Sequence, residues 1–216
     1  SFTGLELKPD LIWQKRRDST GGSHFHYLFN SVRGGRYLLQ SNTNGTEGDS
    51  GNDNNIVFKD GGFDMVASTG GQGNASGGTY TAWCWKAGGA AVSNSDGTIT
   101  TSISANQEAG FSIISYTGNS TSGATIGHGL GRTPKWFIVK SRSQNRGWNN
   151  YHVSIGNTKY IQLQQDHAAQ TQSGWWNNTS PTSSVITLGN DGDVNNSSQN
   201  YICLLYTSDA ADEVQC

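Results

Sequence analysis

Along the chain, short apolar and aromatic runs alternate with polar stretches rich in Gly, Asn, Ser and Thr. That is the pattern of an all-β protein with many turns. One run occurs twice. Pro9-Asp10-Leu11-Ile12-Trp13-Gln14-Lys15 and Pro134-Lys135-Trp136-Phe137-Ile138-Val139-Lys140 each open on Pro, carry an aromatic and close on Lys, and Gly4-Leu5 and Gly129-Leu130 stand before them. Opening a strand with Pro loses no ladder bond, because the missing N–H lies ahead of the first pairing. The nearly continuous apolar run that follows predicts a strand covered on both faces. The stretch reads as the central strand of a module encoded twice.

Other strands are expected around each copy. In the first they are His24 to Phe29, Arg36 to Gln40, Ile56 to Phe58, Phe63 to Val66 and Thr79 to Trp85. In the second, Lys159 to Leu163 matches Arg36 to Gln40, Val185 to Leu188 matches Phe63 to Val66, and Asn200 to Ile202 matches Thr79 to Thr81. Phe111 to Tyr116, Ala124 to His128 and Asn149 to Val153 complete that set. The copies lie 125 positions apart at the Pro (Pro9 to Pro134) and 121 at the last Tyr (Tyr80 to Tyr201), a drift that loop lengths alone produce. A period above roughly 100 residues means tandem domains rather than a solenoid.

The expected fold class is all-β: two tandem antiparallel β-sandwich modules of lectin or jelly-roll type. The first module spans 1–88 and lacks an opening strand. The second spans 111–202. A linker at 89–110 joins them, with a possible edge strand at Thr98 to Ser104. Asp166 to Gln172 is expected to form one helical turn. Ser41 to Asn55 is a long polar loop of the kind that often carries function.

Composition narrows the function classes. A net charge of -2 over 216 residues gives no electrostatic reason to expect nucleic acid or an anionic membrane as partner. Seven Trp, eight Tyr and seven Phe argue against disorder. No apolar run approaches the roughly 18 residues of a membrane-spanning helix, and no signal peptide is visible. Cys84, Cys203 and Cys216 are too few and scattered for a disulfide framework or a zinc site. Cys84, between two Trp, reads as a small buried hydrophobe.

Candidate chemistry is sparse. His24 and His26 share a strand face, but a zinc site needs a third ligand and none stands at a suitable spacing. His128 lies in Gly127-His128-Gly129-Leu130-Gly131, whose glycines set the turn into the central strand. No nucleophile elbow, phosphate loop or zinc-protease motif is present, and no catalytic residue is assigned. Asp49-Ser50-Gly51-Asn52-Asp53 and Asp191-Gly192-Asp193 offer oxygen ligands to calcium, yet both also read as turns. The strongest binding candidates are Trp148 with Asn149, and Trp175 and Trp176 with Asn177. An exposed indole beside amides stacks on a sugar ring and bonds its hydroxyls. The competing reading has these indoles plugging the end of a sandwich.

Several segments together carry a resemblance. They are Tyr80-Thr81-Ala82-Trp83-Cys84-Trp85-Lys86-Ala87-Gly88-Gly89, Asn94 to Thr100, Phe111 to Gly118, His128 to Gly131, Trp176 to Thr179 and Pro181 to Val185. The set resembles a tandem-repeat domain of unknown function found in virion and tail proteins of marine bacteriophages and in marine metagenomes. The likeness runs from about residue 3 to about residue 202. It implies a non-enzymatic structural or adhesion role in a virion, lectin-like, with other virion proteins or a host-surface glycan as partner. Oligomerisation is compatible with it. No cofactor or site residue comes with it. The alternative is a carbohydrate-binding module of a secreted glycan-active protein. From Cys203 onward the string Cys203-Leu204-Leu205-Tyr206-Thr207-Ser208-Asp209-Ala210-Ala211-Asp212-Glu213 resembles translated sequencing adapter, so residues 203–216 are expected to be non-native. Cys203 to Tyr206 is still apolar enough to pass as strand.

Overall fold

The computed structural model describes residues 1–18, 24–50, 55–66 and 73–207. The first half contributes β1 (Phe2–Thr3), β2 (Leu11–Arg16), β3 (His26–Asn30), β4 (Tyr37–Gln40), β5 (Gly48–Asp49), β6 (Asn55–Lys59), β7 (Gly62–Val66) and β8 (Tyr80–Trp85). Then follow β9 (Val92–Asn94), β10 (Thr101–Asn106), β11 (Phe111–Thr117), β12 (Ala124–Gly127), β13 (Trp136–Ser141), β14 (Trp148–His152), β15 (Lys159–Gln162) and β16 (Gln170–Thr171). A one-turn helix α1 (Ser173–Trp176), β17 (Val185–Leu188), a second short helix α2 (Gly192–Asn195) and β18 (Asn200–Tyr206) complete the described residues. The protein is all-β, and among the described residues its ladders are antiparallel apart from one isolated parallel bridge, Ile99 to Ile126.

Two large sheets dominate. The smaller has the order β5-β4-β3-β2-β8, the larger β16-β15-β14-β13-β18-β11-β10-β9. Each carries a small sheet, β1-β7-β6 on the first and β12-β17 on the second. Successive side chains of a strand point to opposite faces, and here each face has its own layer. From the smaller sheet, Ile12, Tyr27 and Phe29 pack on Ile56 and Phe63 of its small partner. From the larger, Phe137, Val139 and Cys203 pack on Ile126, Ile186 and the indoles of α1. The remaining faces meet each other: Leu11, Leu28 and Leu39 lie against Ile113, Ile138, Trp148 and Leu204. The described residues thus form a stack of four sheets with three apolar layers between them. That is why the apolar residues of both Pro-led runs are nearly continuous.

The two sandwich-like halves expected from sequence meet face to face through this middle layer, so they are not joined by a linker alone. Each half closes one apolar layer against its own small sheet, and the halves share the third. The segment between them is structured too. β10 pairs with β11 and lies inside the large sheet, and β9 is the edge.

The halves correspond closely. β2 and β13 have the same bounds 125 positions apart (Leu11 to Trp136), β3 and β14 at 122 (His26 to Trp148), β4 and β15 at 122 (Tyr37 to Lys159), and Tyr80–Trp85 matches Tyr201–Tyr206 at 121. Their hydrogen bonds correspond as well. Arg17 N–H donates to the Thr79 carbonyl as Arg142 N–H does to Asn200, and Asp10 to Trp85 as Lys135 to Tyr206. Gly34 and Gly156 both adopt positive φ (92° and 80°) in the turn after β3 and β14, each donating to the last residue of that strand. The conformation suits Gly because no Cβ opposes it. The paired lysines both bond backbone, though at different places. Lys15 Nζ donates to the His24 carbonyl and Lys140 Nζ to the Ser141 carbonyl, each at 2.7 Å. Lys140 is wholly buried, and that burial pulls its ammonium down to about 8.

One carboxylate ties the two large sheets. Glu47 accepts from Arg33 Nη1 at 2.6 Å and from Arg142 Nε and Nη2 at 3.0 and 2.8 Å. Burial alone would raise its carboxyl; the bonds from Arg142 and Arg33 outweigh that and hold it below the usual carboxylate range. The segment with adapter likeness contributes to the same architecture. Cys203 and Leu205 are fully buried, and β18 runs between β13 and β11. In the smaller sheet Ala82-Trp83-Cys84-Trp85 fills the matching place. Residues 208–216 lie outside the described residues.

Candidate functional site

The indoles singled out from sequence are structural in this fold. Trp148 is 1% exposed, lies in the middle layer and donates from Nε1 to the Gln40 carbonyl across the two sheets at 2.8 Å. Trp175 and Trp176 are 3% and 1% exposed. Extended chain would have pointed them opposite ways. They instead sit on α1, capped by Gln172 before it and by Asn177 in the left-handed conformation after it. The helical turn therefore falls at Ser173–Trp176 and not at Asp166 to Gln172. Trp176 packs edge-on to Phe137 at 4.9 Å and donates to the Lys159 carbonyl at 3.1 Å. Asn149 is buried and saturated: it donates to the carbonyls of Gly147 and Asp193 and accepts from Gln162. Asn177 accepts from the Ser122 hydroxyl. All three rings are buried, Trp148 beside an apolar cavity of about 220 Å³ between the large sheets, so none is presented at the surface as a platform for a sugar.

The acidic turns are likewise engaged. Asp49 is held by Arg36 through two bonds of 2.8 Å. Asp191 caps α2, and Asp193 faces Arg146 at 3.4 Å. Among the described residues no group of three metal-ligating side chains converges; Gly51, Asn52 and Asp53 lie outside them. His128 is buried, its Nδ1 accepting from Leu130 N–H and its Nε2 near the Thr182 carbonyl at 3.3 Å.

A cleft of about 670 Å³ opens where the two large sheets meet at one end. It is lined by Trp13 and His26, by Ser41 and Asn42 after β4, and by Leu163, Gln164, Gln165 and Asp166 after β15. The two loops occupy matching places in the halves. Ser41 N–H bonds the His26 carbonyl as Leu163 N–H bonds that of Trp148, and Thr43 to Gln40 as Gln165 to Gln162. Neither half forms the cleft alone.

Its floor is ordered. Trp13 Nε1 donates to His26 Nδ1 at 3.0 Å, and the rings stand edge to face at 5.9 Å. An accepting Nδ1 puts the ring proton on Nε2, leaving one donor for a ligand. Desolvation by burial, with Lys15 adding, keeps the imidazole below its ordinary value of 6.5 and so neutral. Asn42 Oδ1 accepts from the His26 N–H at 3.0 Å and Gln164 Oε1 from the Trp148 N–H at 2.9 Å, which leaves both amide NH₂ groups as donors. Gln165 and Asp166 are exposed at the rim. The cleft therefore offers one indole, one neutral imidazole, one hydroxyl, three amides and one carboxylate.

A family model described as a domain of unknown function, DUF7483, matches residues 1–210. The chain belongs to that family. No curated protein and no solved structure matches it. One continuous match runs through both halves, so the DUF7483 domain comprises the whole stack and includes β18. No helix of the described residues is long and apolar enough to cross a membrane.

Sequence reasoning missed the DUF7483 cleft because Trp13 sits in an apolar run and reads as core. The long polar loop after β4 was a usable signal, since it supplies Ser41 and Asn42.

Proposed function

We propose that this DUF7483 domain is a non-enzymatic, glycan-contacting protein of a bacteriophage particle, built from two copies of one β unit. The observation that carries the glycan reading is the cleft between the halves. A part-exposed indole beside hydroxyl, amide and carboxylate groups is the arrangement that meets a sugar, whose ring carries an apolar C–H face and a rim of hydroxyls. Contact fits better than cleavage. The cleft's described lining has one carboxylate, whereas hydrolysis of a glycosidic bond by the usual route takes two. The shared strand bounds and hydrogen bonds of the halves support duplication. The particle assignment rests on the sequence resemblance to phage virion and tail proteins, with a host-surface glycan or other virion proteins as partner.

A glycan array tests the first part. Binding to at least one surface polysaccharide is expected. It should weaken about tenfold or more when Gln165 and Asp166, both exposed at the rim, are replaced by Ala, since each lost polar contact costs about 1 kcal/mol. Unchanged binding in that variant, or no binding to any sugar, sinks the cleft as the site. Genes for capsid, portal or tail proteins beside the full reading frame would support the particle. Neighbouring genes for glycan-degrading enzymes would favour a secreted carbohydrate-binding module.

A further inference from the structure

Sheets protect their edges with short strands, charges, bulges or Pro. Several edges here take the first course: β5 and β16 have two residues and β9 has three. The edge strand β8 has six, Tyr80-Thr81-Ala82-Trp83-Cys84-Trp85, with no charge and no Pro.

Its ladder to β2 determines which groups are left over. Arg17 N–H donates to the Thr79 carbonyl, and the register puts Thr81, Trp83 and Trp85 in the same phase. Bonding alternates along an antiparallel pair, so the N–H and C=O groups of Ala82 and Cys84 point away from β2. They have no hydrogen-bond partner among the described residues.

The other half shows what fills that place. β18 follows β13 in the strand order as β8 follows β2, and it bonds β13 in the same phase. On its far side it pairs with β11 from Phe111↔Tyr206 to Thr117↔Asn200. With β11 alongside, Leu204 is 5% exposed; Trp83, its counterpart in β8, is 48% exposed. Beside Trp83 lies an apolar depression of about 240 Å³ bounded by Trp13, His26 and Trp85. β11 is apolar on both faces, with Ile113 in the middle layer and Ile114 in the outer one. β8 borders the same two kinds of layer through Trp85 and Cys84.

We propose that the β8 edge is a docking site for an extended strand with the chemistry of β11, Phe-Ser-Ile-Ile-Ser-Tyr, which adds antiparallel to β8 and covers Trp83. A second copy of the described chain is not the occupant, because its own β11 is already held between β10 and β18. Backbone groups supply the affinity and the two apolar faces the selectivity, as in strand addition generally.

The test is amide hydrogen exchange on the unaltered chain, with and without a lysine-flanked synthetic peptide of the Phe111–Thr117 sequence. Alone, the Ala82 and Cys84 amides should exchange fast while those of Thr81 and Trp83 are protected. Saturating peptide should slow Ala82 and Cys84 about tenfold or more and shift Trp fluorescence to the blue. A scrambled peptide should do neither. Ala82→Pro removes an outward N–H without touching the β2 ladder, and should weaken the peptide about tenfold while Thr81 and Trp83 stay protected. If Ala82→Pro fails to fold, the exchange result on the unaltered chain decides. Ala82 and Cys84 protected without peptide, or no slowing with it, overturns the proposal.

Discussion

Trp13 and His26 hold each other through one hydrogen bond that exists only while the imidazole is neutral. Burial depresses the His26 value in the folded chain, and it depresses that of His128 in the same direction. As pH falls through 6.5, the ordinary value, histidines of the unfolded chain take up protons first. The stability these two contribute is therefore complete above that pH and is lost as pH drops through their folded values. A urea midpoint lower at about pH 5.5 than at about pH 7.5 is expected, with a smaller drop in the His26→Gln variant; a pH-independent midpoint contradicts it. Single residues were also where sequence reading was weakest. Trp148 looks loop-like because Asn149 and Asn150 follow it, yet both amides are buried and bonded to backbone. Polar neighbours signal solvent only when they are not themselves saturated inside.

At the scale of elements, much was legible. The two Pro-led runs are β2 and β13, each between two neighbours in its sheet, and continuous apolar character revealed them because both faces are covered. The match of β4 with β15 was visible one residue out of register, with Arg36 set against Lys159 where the strands place Tyr37, and that of β8 with β18 was visible only over Asn200 to Ile202, because the string from Cys203 onward read as adapter. Helix α1 was not, because four residues between two caps are too short for a 3.6-residue period to register. The linker reading of 89–110 failed for a related reason: Thr101-Ser102-Ile103-Ser104 alternates like a surface strand, but β9 and β11 flank it. β18 makes a sharp test. Its Leu205 is fully buried. Leu205→Ala should cost about 2–5 kcal/mol in denaturant unfolding. A loss below about 0.5 kcal/mol would mean that this stretch is not packed as described.

For the whole molecule, the middle layer and the bonds of Glu47 to Arg33 and Arg142 couple the halves. Calorimetry should show one cooperative transition, not two, because neither half can open without exposing the layer it shares. Two resolved transitions would mean that the halves behave as independent domains. That coupling lay beyond the sequence, since a face that meets a sister sheet uses the same residue types as one that meets its own small sheet. The sister faces are also alike: Leu11 and Trp136, and Trp13 and Ile138, are corresponding residues that enter the same layer from opposite sides. Surfaces that match by self-likeness are consumed in couples. Any longer assembly of this unit is then bound by parity: an even number of units closes every such surface, whereas an odd one leaves a leucine- and tryptophan-bearing flank bare to water or to another chain.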